Sequence, residues 1–287
     1  MSNPAPKPAS NLISTSELYV RLREPERSPV PRLVDVRASL ADPQAGRRQY
    51  DAAHLPGAVY LSLDDELSGP VEAHGGRHPL PDMAVFAETL QRNGIGDADE
   101  VVVYDDGGMV AARLWWLLRY AGFDRVQVLD GGFPAWTEAG LPVTQALPNL
   151  EPATLTLELR PEMIADMEAV RAGLDDPEVT LIDARAPERY RGEVEPLDKK
   201  AGHIPGAVNK PFTENLEHGL FRSPEALRER FADVQGEGEA IVYCGSGVSA
   251  AHNALALEEA GITARLYAGS WSDWISYDEN PVATGND

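Results

Sequence analysis

Short runs of aliphatic residues alternate along the whole chain with longer stretches of helical character. Leu33-Val34-Asp35-Val36, Val102-Val103-Tyr104, Leu181-Ile182-Asp183 and Ala240-Ile241-Val242-Tyr243 read as brief buried strands. Arg113 to Tyr120, carrying Trp115 and Trp116, and Asn253 to Glu259 read as helices, the second extending back to Ala250 and closed by Gly261. Strands that are continuously apolar rather than alternating are buried on both faces. The pattern therefore predicts an α/β protein built on mostly parallel sheets with helices on both faces.

The pattern also repeats. Leu33-Val34-Asp35-Val36-Arg37 returns as Leu181-Ile182-Asp183-Ala184-Arg185, and His54-Leu55-Pro56-Gly57-Ala58-Val59 as His203-Ile204-Pro205-Gly206-Ala207-Val208. Val102-Val103-Tyr104-Asp105 returns as Ile241-Val242-Tyr243-Cys244. Gly131-Gly132-Phe133-Pro134-Ala135-Trp136 returns as Gly269-Ser270-Trp271-Ser272-Asp273-Trp274. Landmarks matched in one order across half a chain imply a duplicated domain, because solenoid repeats are far shorter. The stretch from Gln145 to Ala153 holds two prolines and no periodicity. The expected division is residues 1–146, a linker over 147–160, and a second domain over 161–287.

Duplication supplies an internal control. Features present in both copies serve the fold by default, which covers Asp35/Asp183, Arg37/Arg185 and His54/His203. Features present in one copy are better candidates for chemistry. Cys244, the only cysteine, faces Asp105 in the other copy, Arg189 faces Ala41, Ser246 faces Gly107 and Ser249 faces Val110. Cys244 opens a glycine-bearing loop between a strand and a helix, where inward-pointing backbone N–H groups stabilise a thiolate. The asymmetry places the chemistry in the second half.

Composition narrows the partners. Across 287 residues, 46 acidic residues oppose 25 basic ones for a formal charge of −21, which disfavours nucleic acid and anionic membrane. An anionic substrate would need arginines or lysines gathered locally. A single cysteine excludes an intrachain disulfide and fits a reducing, cytoplasmic setting. The Pro/Ala/Ser-rich start, Met1 to Ser10, lacks the apolar core of a signal peptide. No metal or cofactor is expected: His74 and His78 have helix-like ligand spacing, but Gly75, Gly76 and Pro79 oppose a helix there, and Gly245-Ser246-Gly247 lacks the lysine of a phosphate loop.

These motifs together resemble the rhodanese family in its tandem form, from about Ser14 to Val282. The resemblance rests on the paired Asp-x-Arg strands, the paired His-x-Pro-Gly-Ala turns, the Cys244 loop and Gly269-Ser270-Trp271-Ser272-Asp273-Trp274. Gly75-Gly76-Arg77-His78-Pro79-Leu80-Pro81 resembles a stretch of the family's first domain. The resemblance implies two rhodanese-like domains, the first inactive and the second catalytic. It also implies a sulfurtransferase moving a sulfane sulfur through a Cys244 persulfide. The donor would be a small anion, 3-mercaptopyruvate or thiosulfate. The acceptor would be a thiol, a thioredoxin-like protein or cyanide, and the chain a monomer. Cys244-Gly245-Ser246-Gly247-Val248-Ser249-Ala250 is similar to the loop of mercaptopyruvate-preferring members, whereas thiosulfate-preferring ones more often carry basic residues there.

Expected roles follow from that resemblance. Arg189 holds the donor's anionic group, with Arg185 as second choice, and Gly245, Gly247, Val248 and Ser249 line the donor. Ser246 works with His54 in a proton relay to which Asp42 is a candidate addition. One departure concerns the arginine that often follows Glu-Pro in mercaptopyruvate relatives: here Glu195-Pro196 is followed by Leu197, leaving Lys199 or Lys200 to compensate. Two other readings compete. A cysteine phosphatase would place an arginine six residues after the cysteine, where this chain has Ala250. A non-turnover sulfur-relay or partner-binding module would keep the fold and lack small-donor turnover.

Overall fold

The computed structural model describes residues 8–24, 30–39, 41–234 and 238–286. The leader reading of the first residues falls largely on 1–7, outside that range. The chain divides into two compact units. The first comprises Met1–Ser68 and Pro81–Arg160; the second comprises Gly69–Leu80 and Pro161–Asp287.

In the first unit the elements run β1 (Leu12–Ile13), α1 (Thr15–Arg23), β2 (Arg32–Asp35), α2 (Ala45–Ala52), β3 (Val59–Tyr60), α3 (Met83–Arg92), β4 (Val101–Tyr104), α4 (Met109–Tyr120), β5 (Val126–Leu129) and α5 (Gly132–Glu138). Its sheet has the order β1-β5-β4-β2-β3, and every pairing is parallel. Leu18, Leu33, Leu55, Val102 and Trp136 meet in one buried cluster of this unit.

The second unit repeats the scheme: β6 (Ile164–Ala165), α6 (Met167–Ala172), β7 (Val179–Asp183), α7 (Pro187–Tyr190), β8 (Val208–Asn209), a short antiparallel ribbon of β9 (Leu216–Glu217) and β10 (Leu220–Phe221), α8 (Pro224–Arg230), β11 (Glu239–Tyr243), α9 (Val248–Glu259), β12 (Ala264–Tyr267) and α10 (Ser270–Trp274). The sheet order β6-β12-β11-β7-β8 is the order of the first unit, again all parallel. The central position of β11 explains its unbroken apolar run. Strand order reverses between β7 and β11, and open parallel sheets bind ligands beyond the strand ends at such a reversal.

Two boundaries differ from the sequence reading. The first long helix starts about a turn before Arg113 and the second two residues before Ala250, because Gly108 and Gly247 cap them in left-handed conformations, at φ 83° and 80°. The stretch 147–160 groups with the first unit through backbone bonds, such as Ala153 N to Gln91 O at 2.9 Å and Arg160 N to Tyr120 O at 3.0 Å. Residues 69–80 lie between β3 and α3 in sequence, yet they pack in the second unit.

Candidate active site

Cys244 follows the last residue of β11 and is 2% exposed. The chain must turn sharply to enter α9, and Gly247 makes the turn. A Cβ on Gly247 would stand 2.2 Å from Ala268 O, so both its φ and its surroundings require glycine. Its N–H donates to Cys244 Sγ at 3.1 Å. The rest of the loop hangs on α10: Trp271 N donates to Cys244 O and Ser272 N to Gly245 O, both at 3.0 Å. Cys244 N donates to Ser270 Oγ at 3.1 Å, and that hydroxyl donates to Tyr267 O at 2.8 Å.

The first unit shows what this loop geometry holds. Asp105 stands where Cys244 stands, and its carboxylate accepts the N–H groups of Gly107, Gly108, Val110 and Ala111. A loop of this shape is therefore a cradle for negative charge. Burial pushes the Asp105 carboxyl above its ordinary range, and those four N–H groups oppose the shift. In the second unit Gly247, the counterpart of Gly108, turns its N–H to a thiol sulfur instead.

Segment 69–80 is fixed to the same place. Gly75 N donates to Asp273 Oδ1 at 2.7 Å and Arg77 N to Ser272 Oγ at 3.1 Å. Gly76, at φ +83°, passes so near Gly269 that a Cβ would fall 2.4 Å from its carbonyl oxygen. The segment delivers His78, whose Nδ1 lies 2.7 Å from Ser246 Oγ with both residues buried.

Arg189 reaches the loop from α7. Measured from where a Cβ on Gly245 would lie, its Nη2 and Nη1 are 3.4 and 3.5 Å away. Glu195 grips this guanidinium, accepting Nη2 at 2.7 Å and Nε at 3.1 Å. Burial disfavours the Glu195 carboxylate, but Arg189 and the N–H groups of Leu197 and Asp198 outweigh it, holding the carboxyl below its ordinary range.

Several expected residues take other positions. His54 bonds Tyr50 O through Nδ1 at 2.7 Å and Ala146 O through Nε2 at 3.1 Å, and its ring stacks on Tyr50. His203 repeats this with Tyr190. His54 is a fold residue of the first unit, and the histidine on Ser246 is His78. Arg185 spends its donors on Asp183, Gly202 O and Glu195, with Trp271 against its face, as Arg37 does with Asp35, Ala53 O and Phe133. Asp42 pairs with Arg48, which holds its carboxyl below the ordinary range. Ser246 and Ser249 do not cap α9, because Gly247 is its N-cap; Ser249 and Val248 begin its first turn. Lys200 Nζ lies 3.7 Å from Asp278. His74 bonds Ser276 and stacks on Tyr277, so it does not share a ligand site with His78. Among the described residues no cluster of His, Cys, Asp or Glu could hold a metal, and no helix is long and apolar enough to cross a membrane.

Sequence reasoning passed over Arg77, His78 and Ser270 as site residues. The first two sit in a segment with no counterpart in the second copy, so the repeat could not align them. Ser270 was visible as a one-sided feature, since it faces Gly132.

A duplicated parallel α/β fold, with a buried thiol in an anion cradle in one copy only, defines an enzyme working through a cysteine nucleophile. The chain belongs to the rhodanese family: the rhodanese-like domain matches residues 14–139 and 166–277. A Pseudomonas aeruginosa protein described as a "Probable 3-mercaptopyruvate sulfurtransferase" is 46% identical over 97% of this chain and 99% of its own length. The Mycobacterium tuberculosis "Putative thiosulfate sulfurtransferase SseB" is 45% identical over 88% of this chain and 90% of its own. The crystal structure of SseA from Escherichia coli, described as a 3-mercaptopyruvate sulfotransferase, superposes with a TM-score of 0.79 at 30% identity, covering 92% of this chain and all of its own. The chain is a sulfurtransferase of this family.

Proposed function

We propose that 3-mercaptopyruvate is the preferred donor and that Cys244 receives its sulfur. The observation carrying this choice is the 2.7 Å contact between Ser246 and His78, one residue away from the loop's glycine and two from the thiol. The two donors differ in what leaves. Thiosulfate releases sulfite, a stable anion that needs no proton. Mercaptopyruvate releases a carbon, which leaves as an enolate and must be protonated. A hydroxyl–imidazole pair beside the nucleophile serves the second reaction and has no task in the first.

The Cys244 thiolate attacks the donor sulfur, an S–S bond forms, and the C–S bond breaks with its electron pair going to carbon. The proton lost from the outer sulfur is returned to that carbon through Ser246 and His78, giving pyruvate and a Cys244 persulfide anion. A thiolate or cyanide acceptor then takes the outer sulfur and restores the Cys244 thiolate. The loop N–H groups stabilise the thiolate and the persulfide, as their counterparts stabilise the Asp105 carboxylate. The chain is read as a monomer, checked by sedimentation at working concentration, and its single cysteine fits a reducing, cytoplasmic setting.

Thiosulfate is the second reading, because a guanidinium beside Gly245 also receives a sulfonate. The deciding experiment is kcat/KM for both donors, with Cys244→Ser as the blank. A preference for thiosulfate overturns the donor assignment. Activity with neither donor, at the level of the blank, overturns small-donor turnover and supports a sulfur-relay module.

A further inference from the structure

Arg77 precedes His78 in the segment that packs against the cysteine loop, and its guanidinium is the nearest charged group to Gly245. Its Nη2 lies 2.8 Å from the position of a Gly245 Cβ, closer than either terminal nitrogen of Arg189. The two arginines are joined through one carboxylate. Asp198 Oδ1 accepts Arg77 Nε at 2.9 Å, and Asp198 Oδ2 accepts Arg77 Nη2 at 3.3 Å and Arg189 Nη2 at 3.1 Å. The Asp198 side chain is 3% exposed and that of Arg77 30%, so the carboxylate is sealed inside while the cation stays accessible. In the stretch where a second cation would be sought, Leu197 is uncharged and exposed, Lys199 is exposed, and Lys200 lies against Asp278.

We propose that Arg77 is the second anion-binding residue of the donor site, gripping the donor carboxylate together with Arg189, and that Asp198 is the strut that sets the spacing of the pair. The proposal rests on the reading of Cys244 as the sulfur-accepting residue. It adds a reason for donor choice. Arg77 and Arg189 are matched by Asp198 and Glu195, so this edge of the site carries no excess charge and suits a monoanion. A dianion would require more positive charge than the four groups leave. Segment 69–80 thus supplies both the histidine on Ser246 and the second arginine.

The test uses the full chain with Arg77→Gln, Arg77→Lys and Asp198→Asn, each with both donors and cyanide as acceptor. Arg77→Gln is expected to raise KM for 3-mercaptopyruvate by about 10- to 100-fold, the effect of losing one charge-assisted contact, with kcat changed far less. Arg77→Lys keeps the charge and recovers part of the loss. Asp198→Asn leaves one uncompensated cation and is expected to raise the ratio of thiosulfate to mercaptopyruvate kcat/KM. An unchanged KM in Arg77→Gln, or a fall confined to kcat, overturns the assignment. Calorimetric binding of pyruvate to Cys244→Ser separates this inference from the donor reading, because pyruvate carries the same carboxylate and needs no sulfur chemistry. Loss of pyruvate binding on adding Arg77→Gln upholds Arg77 whatever the turnover assays give. Equal binding with and without Arg77, or none in Cys244→Ser itself, overturns it.

Discussion

His78 Nδ1 and Ser246 Oγ stand 2.7 Å apart, joining residues separated by 168 positions in the chain. Replacing either partner should impair the donor whose leaving carbon must be protonated. His78→Asn and Ser246→Ala are each expected to lower kcat for 3-mercaptopyruvate by about 10²- to 10⁴-fold, the usual scale for general acid–base catalysis. Thiosulfate turnover should fall much less. His54→Asn is the control: it breaks the bonds to Tyr50 O and Ala146 O, so it should lower Tm while leaving kcat near wild type. Equal losses with both donors would sink the relay.

That pair also marks where the sequence stopped being legible. The duplicated sheets, Cys244 and Arg189 can be read from the repeat, because strand periodicity and copy-to-copy differences are local properties. His54 is misread for the same reason that makes the repeat useful. It sits in a motif shared with His203, and both copies use the ring to tie the turn to a tyrosine carbonyl. His78 and Arg77 reach the site only because 69–80 leaves the first unit's sequence neighbourhood and packs in the second. No periodicity or spacing encodes that packing. Gly76 is the one local trace of it, being required by the close approach to Gly269 O.

Ser270 occupies a left-handed conformation, φ 56°, at the position where the first unit has Gly132 at φ 57°. Such a conformation in a non-glycine residue costs of order 1 kcal/mol or more and is kept where a side chain has a task. Here the hydroxyl accepts Cys244 N–H and so fixes the nucleophile's backbone. Ser270→Gly should leave the unfolding free energy within about 1 kcal/mol of wild type, since relief of strain offsets a lost hydrogen bond. It should nonetheless lower kcat with both donors. Wild-type kinetics in Ser270→Gly would mean that the serine is there for packing alone.

Asp105 fills the cradle in the first unit, its carboxylate taken up by the loop's own backbone N–H groups. Asp105→Ala removes the acceptor of four N–H groups, three of them buried and costly to leave unpaired, so a loss of at least about 2 kcal/mol is expected in denaturant unfolding. Asp105→Asn retains one acceptor oxygen and should lose less. Donor KM should be unchanged in protein that remains folded. A shift in KM with stability intact would contradict the assignment of Asp105 to the fold.

His252 gives the acid limb of stability a specific source. The ring is fully buried on α9, stacked on Phe221 and edge-on to Phe212, with Nδ1 against Asn215 Nδ2 at 3.1 Å. Nε2 is buried without a hydrogen-bond partner among the described residues. Burial, reinforced by the nearby charge of Arg230, lowers its pKa to about 3 from an ordinary 6.5. Between those values the unfolded chain binds a proton that the folded chain refuses, so acid favours unfolding. Stability should fall as pH drops below about 6.5, by up to about 1.4 kcal/mol per unit from this group, and the slope should vanish below about 3. His252→Gln removes the titration while its amide oxygen can still accept from Asn215. Unfolding by guanidinium chloride at several pH values from 7 to 4 should give a shallower acid decline for the variant than for wild type. Parallel curves would assign the acid sensitivity to other groups.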